Sequence, residues 1–303
     1  MPVISEAKRE DMRGAAGQKK VRGRALRRKR NYTTPILMLL LIIGLGLILY
    51  PSVSDYWNSF HQSRAIAGYV EQVANIDNSR SEAMWKLAES YNDRLLGKEE
   101  RYILSDEEMQ EYNETLDVTG TGIMGYIEVP QLKISLPVYH GVEESVLQIA
   151  IGHIPGTSLP VGGTSSHSVL SGHRGLPSAK LFSDIDRMDK GDTFLLQILN
   201  RTLTYEVDQI RIVLPYELQD LEILPGGDYV TLVTCTPYGV NTHRLLVRGH
   251  RIANARDEVR VNADALQIDT NIVSLALASS MVLFLLVLMM LQSLVRFVRR
   301  LFR

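Results

Sequence analysis

Two long uncharged apolar runs, each next to a basic end of the chain, constrain this sequence more than any other feature. The first is Pro35–Tyr50 (PILMLLLIIGLGLILY), extended at its start by Tyr32–Thr34; the second is Ile272–Leu291 (IVSLALASSMVLFLLVLMML). About twenty helical residues at ~1.5 Å each cross a hydrocarbon core of roughly 30 Å. Residues 1–31 hold 11 Lys/Arg against 3 Asp/Glu, and residues 292–303 carry four Arg and no acid. Residues 32–291 therefore carry −13 of a chain whose net charge is −1. Basic flanks stay on the cytoplasmic side. The pattern predicts a two-pass protein of the cell membrane, with both termini cytoplasmic and an acidic portion outside. The basic ends then read as topology signals touching anionic lipid head groups, and not as nucleic-acid patches. A cleaved signal peptide is the other reading of the first run, but the Ala-x-Ala at Ala65–Ala67 lies about 15 residues beyond it, too far for a usual cleavage site.

The 303-residue chain has one cysteine, Cys235. A domain outside the membrane is exposed to oxidant, and secreted domains that keep cysteines usually pair them. A lone thiol has no internal partner. It is either buried and inert or kept for its reactivity.

Residues 58–96 read as helical, with apolar positions at Ile66, Tyr69, Val70, Val73 and Ile76, then Met84, Leu87 and Leu95. A break is expected near Asn75–Ser79. Residues 97–120 are acidic and irregular and read as a solvated linker. From 121 onward Gly, Pro and β-branched residues punctuate short apolar runs: YIEVP, LKISLPVYHG, HSVLSGHRG, DTFLLQIL, LTYEVDQIRIVLP, DYVTLVTCTP and THRLLVRGHRI. Turns at Leu199–Thr202 and Gly226–Asp228 suit an antiparallel barrel or sandwich. Short helices are expected at Glu143–Ile151 and Ser178–Asp186. The resulting division is a basic tail (1–31), a membrane helix (32–51), a helical extension and possible lid (52–120), a catalytic β-domain (121–253), a linker (254–271), a second membrane helix (272–291) and a basic tail (292–303).

Cys235 ends an apolar run just before Thr236 and Pro237. Proline cannot donate to a ladder, so the strand should stop there, leaving the thiol at a strand end beside a loop. His173 stands in SGHRG (171–175), again at the end of an apolar run. Arg244 opens a further run nine residues after Cys235, and a loop over 236–242 would return it toward the thiol. A nearby His and Arg both favour the thiolate. At ordinary pKa values the thiolate–imidazolium pair is only about 1% of the neutral pair, and a fixed cation raises that share or stabilises an oxyanion. Spacing alone leaves a structural cysteine open, and Arg174 and Arg248 are rival arginines. His140, His153, His167, His243 and His250 take the bland reading, as core, loop or strand-face residues. The ligand spacing of a zinc site is not apparent, and no cofactor is expected.

TLVTCTPYGVNTHRLLVRGHR (231–251) resembles the active-site strand pair of sortases. LPVGGTSSHSVLSGHRGLP (159–177) resembles their histidine segment, and GYIEVPQLKISLPVYHG (125–141) their opening strands. The resemblance implies a mainly β fold, a closed barrel of about eight strands with short helices. It implies Cys235 as nucleophile, His173 as general acid and base, and Arg244 as the substrate or oxyanion cation. With two membrane helices and a helical N-terminal extension, the chain most resembles the pilus-polymerising class C. That class implies cleavage of a Leu-Pro-x-Thr-Gly-like sorting signal between Thr and Gly. Transfer to a Lys amine of a second pilin then gives an isopeptide bond. The alternatives are a housekeeping sortase that anchors surface proteins to cell-wall precursor, a hydrolytic cysteine peptidase, and a non-catalytic tethered assembly module. One feature departs from class C. No proline occurs between Pro51 and Pro130, so the Asp-Pro-aromatic lid motif is absent, and whether residues 97–120 form a lid stays open.

Overall fold

Alternating apolar residues need one face of their sheet covered, and here the sheet closes on itself to cover it. The structure is a computed structural model that describes residues 32–254 and 279–292. The remaining residues, which hold nearly all of both basic tails and of the 254–271 linker and the start of the second apolar run, lie outside the described residues. The chain divides into two compact units, residues 1–41 with 284–303, and residues 42–283. In the first unit the described residues are helical apart from Tyr32, with Leu37, Leu40 and Met289 exposed.

Helix α1 (Thr33–Ala74) contains the first apolar run and continues through Pro51. Its apolar stretch reaches a mean hydropathy of 2.6 with none of it buried, and it is long enough to cross a membrane. The second run is helical over Ser279–Gln292, shorter than a span by itself. Among the described residues, then, one spanning helix is present where the sequence predicts two.

The second unit is built on eight strands: β1 (Ile123–Val129), β2 (Ile134–His140), β3 (Ile151–His153), β4 (Ser166–Ser171), β5 (Thr193–Ile198), β6 (Arg201–Val213), β7 (Asp228–Thr236) and β8 (His243–Ile252). They close in the order β1-β2-β3-β4-β7-β8-β6-β5. The closed barrel agrees with the sequence expectation, but it is not wholly antiparallel, because β2–β3 and β4–β7 pair in parallel. Met124, Ile127, Leu170, Phe194, Leu196, Leu232 and Val247 are fully buried in its core. A second cluster is formed by Val169, Val213, Leu221, Val233 and Leu246. Val233 and Leu246 alternate with core residues along their strands, which puts this cluster on the outer face of the sheet.

The predicted break after α1 is real. Asp77 caps α2 (Asn78–Leu95) by accepting from the Arg80 N–H. Trp85, Ala88, Tyr91 and Leu95 of α2 join the barrel core, and Tyr69 of α1 donates to Met124 O and accepts from Leu199 N. Residues 97–120 are not a loose linker. Ser105 and Glu108 form a capping box on α3 (Asp106–Glu114), and Arg101, Tyr112 and Leu116 are buried. The acidic residues occupy the wet face of a short amphipathic helix. Tyr112 lies on its other face and Leu116 follows just after the Thr115 cap, and burying each contributes on the order of 2 kcal/mol. Two short helices also come out shorter than expected. The first is α4 (Glu144–Leu147), because Ile151 already belongs to β3; the second is a single 3₁₀ turn at Ile185–Arg187.

Candidate active site

Strand β7 carries the thiol. Val230 and Leu232 face the core, Val233 joins the outer cluster, and Cys235, two residues on, shares the outer face. The strand ends at Thr236, as Pro237 requires. On one side β8 pairs antiparallel, with Cys235 directly opposite Arg244. On the other side β4 pairs in parallel, with Ser171 level with Val233. The register continues past the end of β4: Gly172 N donates to Val233 O, and Thr234 Oγ1 donates to Gly172 O at 2.7 Å. Arg174 Nη1 donates to Thr236 Oγ1 at 3.2 Å. These bonds bracket His173 and set it level with Cys235. All three sequence-predicted residues therefore meet at one end of three adjacent strands, with the cysteine in the middle. Gly172 makes the close approach possible, since a Cβ there would lie 2.5 Å from Ile151 Cδ1 and 2.8 Å from the Phe182 ring.

Cys235 is a free, partly exposed thiol. Arg244 Nη1 donates to the carbonyls of Asn241 and His243 at 3.2 and 3.1 Å, which anchors the guanidinium to its own loop and leaves it without an ion pair among the described residues. The rival arginines are occupied. Arg174 pairs with Asp186 and lies over the Tyr238 ring. Arg248 forks onto Asp208 at 3.0 and 2.9 Å and lies over Tyr229.

His173 Nε2 is buried and has no hydrogen-bond partner. The Glu144 carboxylate on α4 lies beside it, with Oε2 at 3.6 Å. The sequence reading misses Glu144, since one acid in a charged helix start carries no signal until the fold brings α4 to the site. The Glu144 carboxyl is held below its ordinary value, first by the Gln148 amide and then by the His173 charge.

The other histidines are structural where they are buried. His153 takes the Tyr112 hydroxyl at Nδ1 and gives Nε2–H to Ser158 O, and burial pushes its pKa down to about 3. His167 gives Nδ1–H to Glu222 O, accepts from Thr231 at Nε2, and is pushed down to about 4 by burial. His140 contacts the carbonyls of Gly122 and Thr115. Among the described residues no group of three His, Cys, Asp or Glu is arranged to hold a metal ion. The arrangement left at the strand ends is a thiol, an imidazole and a fixed cation in one outer-face row. That set supports nucleophilic acyl transfer, in which the imidazole moves protons and the cation meets developing negative charge.

The comparisons with known proteins bear on the same region. A family model described as the sortase domain matches residues 127–252. The structure is similar to that of sortase C1 from Streptococcus agalactiae, at 52% identity and a TM-score of 0.61, covering 63% of this chain and 100% of the other. It is also similar to sortase C of Streptococcus pneumoniae, at 43% identity and a TM-score of 0.58, over 63% and 97% of the two chains. A structure of Clostridium perfringens sortase C with the C-terminal cell wall sorting motif matches at 41% identity and a TM-score of 0.54, over 63% and 99%. A more distant relative is sortase A of Streptococcus agalactiae serotype III (strain NEM316), 24% identical over 66% of this chain and 77% of its own length.

Proposed function

Because the chain belongs to the sortase family of cysteine transpeptidases, we propose that Cys235, His173 and Arg244 carry a pilin-joining transpeptidation. The observation that carries this reading is the strand register, which pairs Cys235 with Arg244 and sets His173 level with the thiol on the other side. The Cys235 thiolate attacks the Thr carbonyl of a Leu-Pro-x-Thr-Gly-like signal. Arg244 meets the oxyanion as the carbonyl becomes tetrahedral. His173 gives its proton to the departing Gly amine, and the acyl group remains on sulfur as a thioester. A Lys amine of a second pilin then attacks, His173 takes the amine proton, and the thiolate leaves as the isopeptide bond forms.

Two observations favour pilin joining over cell-wall anchoring. The structural neighbours at 41–52% identity named above are C-type sortases, and α1 and α2 form the long helical extension expected of that class. The apolar part of α1 supports a membrane anchor that holds the barrel outside, and the second apolar run, with its basic flank, would complete the hairpin. The test is to incubate the protein with a Leu-Pro-x-Thr-Gly peptide and a Lys-containing pilin peptide and to weigh the products. A product joining the Thr carbonyl to the Lys amine is expected. A product ending only in a free Thr carboxylate would make the enzyme a hydrolase and overturn the reading.

A further inference from the structure

We infer that Glu144 is a positioning residue for His173, fixing the proton on Nε2 and favouring the imidazolium that accompanies the Cys235 thiolate. The inference rests on the proposed roles of Cys235 and His173 and names a fourth group that serves them.

The geometry argues as follows. The two carboxylate oxygens of Glu144 face different partners. Oε1 takes the Gln148 side-chain amide from the next turn, and Oε2 is turned to His173 Nε2 at 3.6 Å. That nitrogen is buried and has no other partner. An unprotonated Nε2 would set its lone pair against a carboxylate, whereas a protonated Nε2 gains an acceptor. The ring therefore keeps its proton at Nε2, and Nδ1 is left to exchange a proton with the thiol. In that exchange the S–H bond of Cys235 breaks, an N–H bond forms on His173, and no other reactant is needed. The product pair carries a positive ring beside Glu144, and the carboxylate favours it. The other groups around the ring are Cys235 on β7, Arg244 on β8 and Arg174 next in sequence. Arg244 disfavours the imidazolium, and Arg174 does so less because Asp186 pairs with it. Glu144 carries the charge of the sign that helps. The Glu144 side chain is 70% exposed, so screening keeps the effect modest, roughly three- to fivefold in thiolate reactivity.

The test reads the thiolate directly and uses no peptide. The rate of Cys235 alkylation by iodoacetamide is followed from about pH 6 to 10 in the intact protein. Glu144→Gln is expected to slow alkylation roughly three- to fivefold near pH 7 and to match the wild type near pH 10, where the thiolate forms without an imidazolium. Glu144→Asp should fall between the two, and in a His173→Ala background the Glu144→Gln difference should vanish. An equal rate for Glu144→Gln at all pH values overturns the inference. So does a slowing that is uniform with pH or that persists without His173, since either marks a merely structural role. The peptide-joining assay is scored separately. If joining fails while the pH-dependent difference holds, the transpeptidase reading falls and the role of Glu144 stands. If joining succeeds without that difference, the reverse is true.

Discussion

At the start of β4, His167 is buried, with an acceptor on one ring nitrogen and a donor on the other. Two residues past the end of the same strand, His173 is partly exposed, and its Nε2 has no hydrogen bond and faces only the Glu144 carboxylate at 3.6 Å. Burial keeps His167 neutral, and its hydrogen bonds fix the tautomer, so the ring has no proton to trade. His153 on neighbouring β3 is held in the same way. The contrast teaches that a histidine with matched partners on both nitrogens is cement, while one left short of a partner beside a thiol and a cation is available for chemistry.

The strongest way to break this contrast is to exchange the consequences. Cys235→Ala is expected to abolish peptide cleavage and acyl-enzyme formation while the fold survives, and any residual turnover above background in purified protein would refute its role. His173→Ala should reduce turnover by a factor on the order of 10² to 10⁴ with little change in stability. His167→Ala should do the opposite. It strands the Glu222 carbonyl and the Thr231 hydroxyl and leaves a void, a loss of roughly 2–4 kcal/mol in unfolding free energy, while turnover per folded molecule stays near wild type. Thermal unfolding and kcat measured on the same samples separate the two outcomes.

A second effect separates the arginines. Arg244→Ala should lower turnover by a factor on the order of 10² or more, as removal of an oxyanion donor does. Arg244→Lys should rescue it poorly, because a point ammonium lacks the planar fork. Arg174→Ala should mainly destabilise, since it leaves Asp186 unpaired and frees Tyr238. A crippling Arg174→Ala beside a mild Arg244→Ala would mean that the oxyanion cation is Arg174.

The buried histidines also set an acid limit. The folded-state value of His167, about 4, lies below the ordinary value of 6.5, so the unfolded chain binds more protons between these limits. The associated stability is complete above about pH 6.5 and is lost as pH falls toward 4, a contribution on the order of 3 kcal/mol for this one group. Urea midpoints measured from pH 7 to 4 should fall, and His167→Gln should fall less steeply.

Much of this was legible from the chain. The strand-end cysteine before Thr236 and Pro237, the histidine in SGHRG and the arginine nine residues on all fall where the sequence puts them, because strand alternation and proline's missing N–H act locally. Turn spacing and apolar alternation narrowed the fold to a barrel or a sandwich, and the resemblance to sortases, not the spacing, pointed to the closed barrel. The parallel pairing of β4 with β7 was not legible, since register between strands distant in sequence leaves no local mark. Glu144 was missed for the same reason. The 97–120 segment was misread because its charges outnumber the residues it buries, and Tyr112 and Leu116 show their importance only once there is a barrel for them to cover.

The smallest expected effect concerns that segment and the thiol. Among the described residues its carboxylates have local partners: Glu111 pairs with Arg94, Glu108 with Lys98, and Glu107 bonds to the Ser105 hydroxyl. None of these contacts reaches His173, Cys235 or Arg244. Asp106, Glu107 and Glu108 also fill the first turn of α3, where the helix dipole favours negative charge and gives them reason to stay. The buried anchors are Arg101, Tyr112 and Leu116, so deleting the segment would open the core and test nothing about the cleft. Point changes avoid this. Asp106→Asn and Glu107→Gln should alter Cys235 alkylation at pH 7 by less than about twofold, because exposed charges are screened at a distance. Glu144→Gln, by contrast, should slow it roughly three- to fivefold. A tenfold rise in alkylation on changing either α3 acid, equivalent to about 1.4 kcal/mol of closure, would show that this face of α3 covers the thiol in solution. The division between an anchoring segment and an open site would then be wrong.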